Sequence, residues 1–258
     1  MQQCVHDVKS WMTHNKLKLN DDKTEALIIS APRISNSIPL PDSLTVGNST
    51  VRFPQSAKYL GVTLDMHLTM TAHLVNLIRA ANFELRRINS IWHYLSVQAT
   101  KTLVSAFVLS RLDYCNSLLS RCPQYLLNRL QKVQNNAARL ILKAPKTDHI
   151  TPHLRTLHWL PIDARIKYKL CSLRFGTITS TGPVYFSNLP KIYTPSRQLR
   201  SSADIRILCI PSVSTKSYGE RSFSYTAPTL WNTLPKDIRF SQSVSSFRSA
   251  FKTHLFPE

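Results

Sequence analysis

The only adjacent carboxylates in this sequence are Asp21 and Asp22, a residue pair that could hold metal ions. Two metal ions held close together stabilise both the attacking and the leaving oxygen in nucleotidyl transfer. This pair, however, follows Leu19 and Asn20 at the end of a predicted helix, and Asn and Asp residues commonly form turns. We therefore interpret Asp21 and Asp22 as a helix stop or turn, and the sequence predicts no catalytic residue.

A second chemical pattern is a cationic stripe on the predicted helix 124–143. At ~100° per residue, its cations fall within one sector about 80° wide, beside an apolar sector of similar width. The cationic stripe consists of Arg129, Lys132, Asn136, Arg139 and Lys143. The apolar sector consists of Leu126, Leu130, Val133, Ala137 and Leu140. Cations at helical spacing suit contact with a phosphate backbone, although the alternative is an ordinary solvated face.

Other chemical signatures are weak. His149 and His153 have helical ligand spacing and Cys115 and Cys122 are nearby in sequence, yet no compact cysteine–histidine cluster exists, so we predict no metal site. None of the five glycines falls in a phosphate-binding loop pattern, which argues against a nucleotide-dependent ATPase. The G-x-S-x-G elbow of α/β-hydrolases and the H-E-x-x-H zinc motif are also absent.

The charge of the chain indicates a polyanionic partner. Its net charge is +19 and its pI is near 10.1. Residues 1–60 carry +2, 61–148 carry +7, 149–177 carry +4 and 178–258 carry +6, so the positive charge follows the first 60 residues. Basic regions bind nucleic acid because each neutralised phosphate releases counterions. An anionic membrane surface is the weaker alternative, because it calls for clustered cations and the longest basic run here is Arg86-Arg87. No apolar stretch approaches the ~20 residues that span a bilayer.

The first 68 residues are predicted to mix helix and strand. A helix is expected over 5–18, with Val5, Val8 and Met12 on one face. Residues 26–29 are expected to form a short buried strand. Alternating β-formers on both sides of a Gly-Asn pair predict a hairpin over 44–53. A further strand is expected over 58–64, with Tyr59 as a packing group.

The hydrophobic period becomes helical after Leu68. One predicted helix buries apolar positions at three- and four-residue steps, namely Leu74, Leu77, Ile78, Ala81, Leu85 and Ile88. Its arginines Arg79, Arg86 and Arg87 lie on other faces. Later helices are predicted over 97–119 with Ser96 as the cap, over 124–143, and from Pro161 to about Phe175. Residues 177–246, rich in proline and serine, are predicted to be irregular, and a last amphipathic piece covers 247–256.

Several phrases carry a family resemblance. The first is Leu17-Lys18-Leu19-Asn20 followed by Lys23-Thr24-Glu25, and the second is Lys58-Tyr59-Leu60-Gly61. Two others are Leu157-His158-Trp159-Leu160-Pro161 and Ala227-Pro228-Thr229-Leu230-Trp231-Asn232. In this order they resemble the C-terminal part of the reverse transcriptase of non-LTR (LINE-type) retrotransposons of the jockey and chicken-repeat kind. The resemblance covers nearly the whole chain.

The resemblance implies an α+β, mostly α fragment in three parts. Residues 1–68 would be a palm remnant with a β-hairpin, 69–177 a helical thumb-like domain, and 178–258 an irregular C-terminal extension. The chain would start just after the catalytic hairpin, so we expect no polymerase activity and no cofactor in this chain, whereas the intact family enzyme would use Mg²⁺.

The resemblance also implies site residues. Lys23 would lie near an incoming triphosphate, and Tyr59 and Gly61 would belong to the primer grip. Arg129, Lys132, Arg139 and Lys143 would clamp the backbone of RNA, DNA or an RNA–DNA hybrid. Trp159 and Trp231 could stack on bases, but buried anchors are the favoured interpretation.

Three alternatives remain open at the level of sequence. The chain could complete a polymerase whose catalytic part is encoded separately, serve as a binding or scaffold protein with no nucleic-acid role, or be a retrotransposon relic without function. Five cysteines without a C-x-x-C pair and no signal-peptide core indicate a protein of the nucleus or cytoplasm that is not secreted.

Overall fold

Helices dominate the computed structural model. It describes residues 2–20, 24–31, 43–46, 49–182, 192–193, 206–216 and 218–256. Within these ranges the strands form two small antiparallel pairs, which confirms the predicted mostly helical α+β class. The chain divides into two compact units, residues 1–76 and 77–258, and the boundary falls inside a helix.

The first unit begins with helix α1, Gln2–His14. It ends four residues before the predicted Lys18, at a turn in which Lys16 adopts a positive φ of 59°. Its predicted apolar face is only partly buried, since Val5 and Met12 are half-buried and Val8 is 47% exposed. Helix α1 therefore adds little to the core of this unit.

A hairpin follows as predicted. Strand β1, Ser43–Val46, pairs antiparallel with β2, Ser49–Arg52, and Leu44 lies opposite Val51. The Gly47-Asn48 pair on which the prediction rested lies outside the described residues. Alternating β-formers around that pair were sufficient to place both strands.

The strand predicted over 58–64 is wrong, because this segment is a second hairpin. Strand β3, Ser56–Tyr59, pairs antiparallel with β4, Val62–Asp65, and Tyr59 lies opposite Val62. Leu60 and Gly61 form the turn, with φ of 46° and 83°. Two positive φ values are what a tight two-residue hairpin turn requires, and glycine adopts them without steric cost.

The strand predicted over 26–29 is also absent from the described residues. Residues 26–28 are half-buried in irregular backbone, and Ile29 is 52% exposed. The Ser30 backbone N–H donates to the Met66 carbonyl at 3.0 Å, which holds the segment without a ladder of strand hydrogen bonds. A short apolar run is compatible both with a buried strand and with half-buried irregular backbone.

Asp65 connects β4 to helix α2, Thr71–Ile91. Its carboxylate accepts hydrogen bonds from the backbone N–H groups of His67, Thr69 and Met70 at 3.2, 2.8 and 2.9 Å. Leu68 and Met70 have positive φ of 48° and 62°, so the carboxylate fixes a strained turn before the helix. The side chains of His73 and Leu74 then enter the core of this unit.

The predicted face of α2 is confirmed. Leu74, Ala81, Leu85 and Ile88 are buried, and Leu77 and Ile78 are half-buried. The three arginines predicted to lie on other faces, Arg79, Arg86 and Arg87, are exposed. The helical period of the apolar positions was therefore sufficient to orient this helix.

The single helix predicted over 97–119 is wrong at its C-terminal end. Ser96 caps the helix as predicted, because its hydroxyl accepts from the Ala99 N–H at 3.1 Å. Helix α3, Val97–Val104, continues through a π-helical turn, Ser105–Leu109, into α4, Ser110–Asp113. The helix ends because Tyr114 is extended, with φ of −67° and ψ of 121°, and Cys115 follows in the left-handed conformation with φ of 51°.

Three helices form the middle of the second unit: α5, Gln124–Leu142, α6, Ile150–Thr156, and α7, Ile162–Ile178. Helix α6 was not predicted. Helices α5 and α7 match their predictions closely, and Pro161 directly precedes α7. Buried residues lie on all sides of α7, so this helix is central to the second unit.

The region predicted to be irregular contains helices from Phe223 onward. They are α8, Phe223–Asn232, and α9, Lys236–Arg239, followed by α10, Val244–His254, which covers most of the predicted amphipathic piece. Each is short, and Pro228 lies inside α8, so no sustained period was visible in the sequence. Their side chains are nevertheless closely packed.

These C-terminal helices share one core with α7. The core cluster comprises Cys171, Phe175, Leu208, Trp231, Leu234, Ile238, Phe247 and Phe251. The ring centroids of Phe175 and Phe247 are 4.4 Å apart, and those of Trp231 and Phe247 are 5.7 Å apart. The Trp231 indole N–H donates to the Arg206 carbonyl at 2.7 Å, which satisfies its polar atom. The interpretation of Trp231 as a buried anchor is confirmed.

Trp159 is also a buried anchor, with 6% of its surface exposed. It follows His158, whose positive φ of 55° turns the chain between α6 and α7. None of the described helices is both long enough and apolar enough to cross a bilayer.

Candidate nucleic-acid interface

Helix α5 carries the cationic stripe and is held by a wide buried face. The predicted positions Leu126, Leu130, Val133 and Ala137 are buried, and Leu140 is half-buried. The buried face also includes Leu127, Gln134, Ala138 and Ile141, which the sequence pattern had not assigned to the core. The buried sector is therefore about 140° wide at ~100° per residue, wider than predicted.

Two glutamines fix α5 against the start of α7. Gln134 is fully buried, and its amide nitrogen donates to the Leu160 carbonyl at 2.9 Å. The side-chain oxygen of Gln131 accepts from the Ile162 N–H at 2.8 Å, and its nitrogen donates to the Gln134 side chain at 2.9 Å. A buried amide with satisfied partners fixes one register between two helices. The exposed side of α5 is thus held in a defined orientation.

Arg129 and Lys132 are the open part of the stripe. Both are exposed, as is Asn136 one turn further on. Among the described residues neither cation lies within ion-pair distance of a carboxylate. From Arg129 to Lys143 the helix rises about 21 Å at ~1.5 Å per residue, which matches roughly six phosphate steps of one strand.

Several other cations of the second unit lie in ion pairs with carboxylates. Glu84 pairs with both Arg87 and Arg111, at 3.3 and 3.1 Å. Arg165 and Lys167 pair with their own carboxylates at 2.6 Å each, and Arg121 pairs with Glu220. A cation in an ion pair has less charge to offer a phosphate. The unpaired cations of α5 are better suited to that contact.

Arg139 has a different environment from the rest of the stripe. It is half-buried, and its Nη2 donates to the Asp148 carbonyl at 3.1 Å. The Asp148 carboxylate instead faces His153, 3.5 Å from its Nε2. Arg139 thus anchors the segment that follows α5.

Lys143 ends α5 in the left-handed conformation, with φ of 54°. Its backbone N–H donates to the Arg139 carbonyl, and its ammonium lies 4.7 Å from the centroid of the Trp92 ring. A cation over an indole face at this distance is a favourable cation–π contact. Trp92 therefore positions the last cation of the stripe.

An open groove of about 400 Å³ lies at this end of the stripe. Its lining residues are Asn89, Trp92, Asn136, Arg139, Leu140, Lys143, Ala144 and Lys146. None of them is acidic. The sequence pattern did not indicate Trp92, Asn89 and Lys146 as site residues, because the two segments that form the groove are about 50 residues apart. The only local signal was the Trp92-His93-Tyr94 run before the Ser96 cap.

The remaining predicted site residues lie in the first unit or outside the described residues. Tyr59 is 66% exposed beside the β3–β4 turn, so its predicted packing role is wrong, and the neighbouring Leu60 is 72% exposed. Gly61 is in the turn itself. Lys23, like Asp21 and Asp22, lies outside the described residues. The four stripe cations belong to the second unit, whereas Tyr59 and Gly61 belong to the first unit.

Candidate metal ligands are not gathered. In the described ranges, no group of three or more His, Cys, Asp or Glu side chains could hold a metal ion. All five cysteines carry free thiols, and Cys171 is fully buried. Burial raises the pKa of the Cys171 thiol to about 12, so it is a packing group and not a nucleophile at neutral pH.

Comparison with known proteins does not assign the chain to a family. No model of a protein family matches the chain, and no curated protein or solved structure shows detectable similarity to it. The function of the chain is therefore inferred from the stripe, the groove and the net charge.

Proposed function

We propose that the second unit binds the phosphate backbone of RNA, DNA or an RNA–DNA hybrid without sequence preference, through the exposed face of α5. The observation that carries this proposal is the pair of exposed cations Arg129 and Lys132, opposite the buried face of α5 in a chain of net charge +19. Within the described ranges neither cation forms an ion pair. Backbone contacts of this kind position a protein on a nucleic acid without reading its bases.

We further propose that the chain is the palm-end, thumb and C-terminal part of a non-LTR retrotransposon reverse transcriptase, as the sequence phrases suggest. The partners would then be the template–primer and a separate catalytic part of the polymerase. The order of the two units is compatible with this proposal, since a small β-hairpin unit precedes a helical unit with a basic helix face. The proposal assigns no polymerase chemistry to these residues.

The proposed location is a reducing compartment, the nucleus or the cytoplasm. Five free thiols are consistent with this location, because secreted proteins commonly oxidise cysteines to disulfides.

The direct test compares the native chain with the double variant Arg129→Glu/Lys132→Glu in binding to a labelled RNA–DNA hybrid. Both side chains are exposed and outside the buried face, so the variant should remain folded. We expect affinity to fall by about tenfold or more at low salt, because two attractive phosphate contacts become repulsive.

A matched control is Lys236→Glu/Arg248→Glu, which makes the same change in charge at exposed positions on α9 and α10. If the two double variants lose affinity equally, binding follows net charge alone and α5 is not the interface. If the native chain does not bind, the proposed function is wrong.

A further inference from the structure

The groove beside Trp92 combines three kinds of side chain. Trp92, Leu140 and Ala144 are apolar, Asn89 and Asn136 are amides, and Arg139, Lys143 and Lys146 are cations. A nucleotide has the same three requirements, since its base stacks on aromatic rings, its edges form hydrogen bonds and its phosphate pairs with cations. The groove therefore offers all three kinds of group that a nucleotide needs.

We propose that this groove binds one unstacked nucleotide of a single strand, with the base against the Trp92 indole and the phosphates at Lys143 and Lys146. The inference rests on the proposed nucleic-acid function and adds a preference to it. Paired bases inside a duplex cannot reach a recessed indole, whereas bases of a single strand are free to stack on aromatic side chains. The α5 stripe would hold the backbone, and the groove would select the unpaired end.

The absence of acidic residues distinguishes this groove from two other clefts of the second unit. A cleft of about 340 Å³ near His158 includes Asp113, and a cleft of about 180 Å³ near Cys122 includes Asp163. Each carboxylate pairs with a neighbouring cation, Arg165 and Lys167 respectively. The charge of the Trp92 groove is not offset in this way by its own lining residues, so it attracts an anion more strongly.

The size of the groove also suits a single nucleotide. Its volume of about 400 Å³ lies at the lower end of the range of small-molecule pockets, ~300–1,000 Å³. The ammonium of Lys143 lies over the indole face, 4.7 Å from its centroid, so a phosphate that draws this ammonium off the ring would leave the face to the base. A free phosphate would use only the cations, and an apolar ligand would use only the indole.

The test measures binding of labelled oligo(A) RNA, alone and as its hybrid with oligo(dT), to the native chain and three variants. Trp92→Leu removes the aromatic face but retains apolar bulk, and Trp92→Phe retains a ring. Lys146→Gln removes one exposed cation, with Lys236→Gln as the matched control outside the groove. Thermal unfolding of each variant checks that it is folded.

We expect Trp92→Leu to weaken single-strand binding by about fivefold to a hundredfold, the range of one lost stacking contact. Hybrid binding should weaken by less, because the hybrid loses only the contact that positions Lys143. Trp92→Phe should recover most of the loss. Lys146→Gln should weaken single-strand binding more than Lys236→Gln. In a Trp11→Phe background, oligo(A) should also quench tryptophan emission, because Trp159 and Trp231 are buried.

Equal weakening of both ligands by Trp92→Leu would overturn the inference, because it would indicate a structural role for the indole. Unchanged single-strand binding would overturn it as well. In either case, loss of hybrid binding in Arg129→Glu/Lys132→Glu would leave the proposed function standing. A native chain that binds neither ligand would reject both proposals.

Discussion

At the scale of single residues, two fully buried polar side chains of the second unit differ in their hydrogen-bond partners. Gln134 is fully buried but has partners for its amide, so its desolvation is offset. Arg174 on α7 is also fully buried, yet within the described structure its three guanidinium nitrogens have no hydrogen-bond partner. Burial lowers the pKa of Arg174 to about 10, so the group is still charged at neutral pH.

An unpaired buried charge costs free energy of folding, so Arg174→Met should stabilise the chain. Methionine has similar length and fills an irregular core position without a charge. We expect the free energy of unfolding to rise by about 1–4 kcal/mol, measured by urea denaturation at pH 7. Lys169→Met, at an exposed position of the same helix, is the control and should change little.

The pH dependence of that difference has a defined sign. The pKa of Arg174 is lower in the folded chain than its ordinary 12.5, so above pH 10 the unfolded state binds more protons. The stability contribution of this group therefore rises with pH, and the advantage of Arg174→Met should shrink above about pH 10. A variant less stable than the native chain at pH 7 would contradict the assignment of an unpaired charge.

At the scale of elements, the helix starts depend on side chains that accept backbone hydrogen bonds. Ser96 caps α3, and Ser243 caps α10 in a reciprocal arrangement with Ser246. Asp65 has the largest such role, since it accepts from three backbone N–H groups ahead of α2. These contacts determine where the chain turns from hairpin to helix.

Asp65→Ala should destabilise the turn before α2 by about 1–3 kcal/mol, because Met70 is buried and its N–H would lose its acceptor without access to water. Amide hydrogen exchange at Thr69 and Met70 should accelerate first. Asp65→Asn, which retains one side-chain oxygen, should lose less. Unchanged exchange in the alanine variant would show that the carboxylate does not hold this turn.

The sequence was informative where one element is long and its apolar period is uninterrupted. Helices α2, α5 and α7 were placed within a few residues, and the exposed face of α5 with Arg129 and Lys132 followed from the same pattern. The β3–β4 hairpin was missed because Leu60 takes a positive φ that its residue type does not suggest. Helix α8 was missed because it is short and contains Pro228.

The candidate site was only half predictable, for a related reason. The stripe is a property of one helix and is visible in its spacing. The groove needs Asn89 and Trp92 beside Lys143 and Lys146, a proximity that exists only after the helices pack. Arg139 was expected to be an exposed phosphate contact, whereas it is half-buried and bonded to the Asp148 carbonyl, a distinction that depends on tertiary packing.

At the scale of the whole molecule, the C-terminal helices are part of the core of the second unit. Phe247 and Phe251 on α10 and Trp231 on α8 pack on Phe175 of the central helix α7. The same α7 is fixed to α5 by Gln131 and Gln134. The basic helix face thus depends on residues more than 100 positions further along the chain.

Phe247→Ala should lower the free energy of unfolding by about 3–5 kcal/mol, since a fully buried ring would leave a cavity. Tyr94→Ala, at a position that is 89% exposed, is the control and should be close to neutral. Urea denaturation of the second unit measures both. A loss below 1 kcal/mol for Phe247→Ala would indicate that α10 is not integral to this core.

The central claim is that α5 contacts a phosphate backbone, and the salt dependence of binding tests it most directly. The affinity for an RNA–DNA hybrid is measured across a salt series for the native chain and for Arg129→Gln/Lys132→Gln. We expect a steep native slope of log affinity against log salt, and a slope shallower by about one for each cation removed. Equal slopes for the two chains, or a native chain whose binding is insensitive to salt, would contradict the claim.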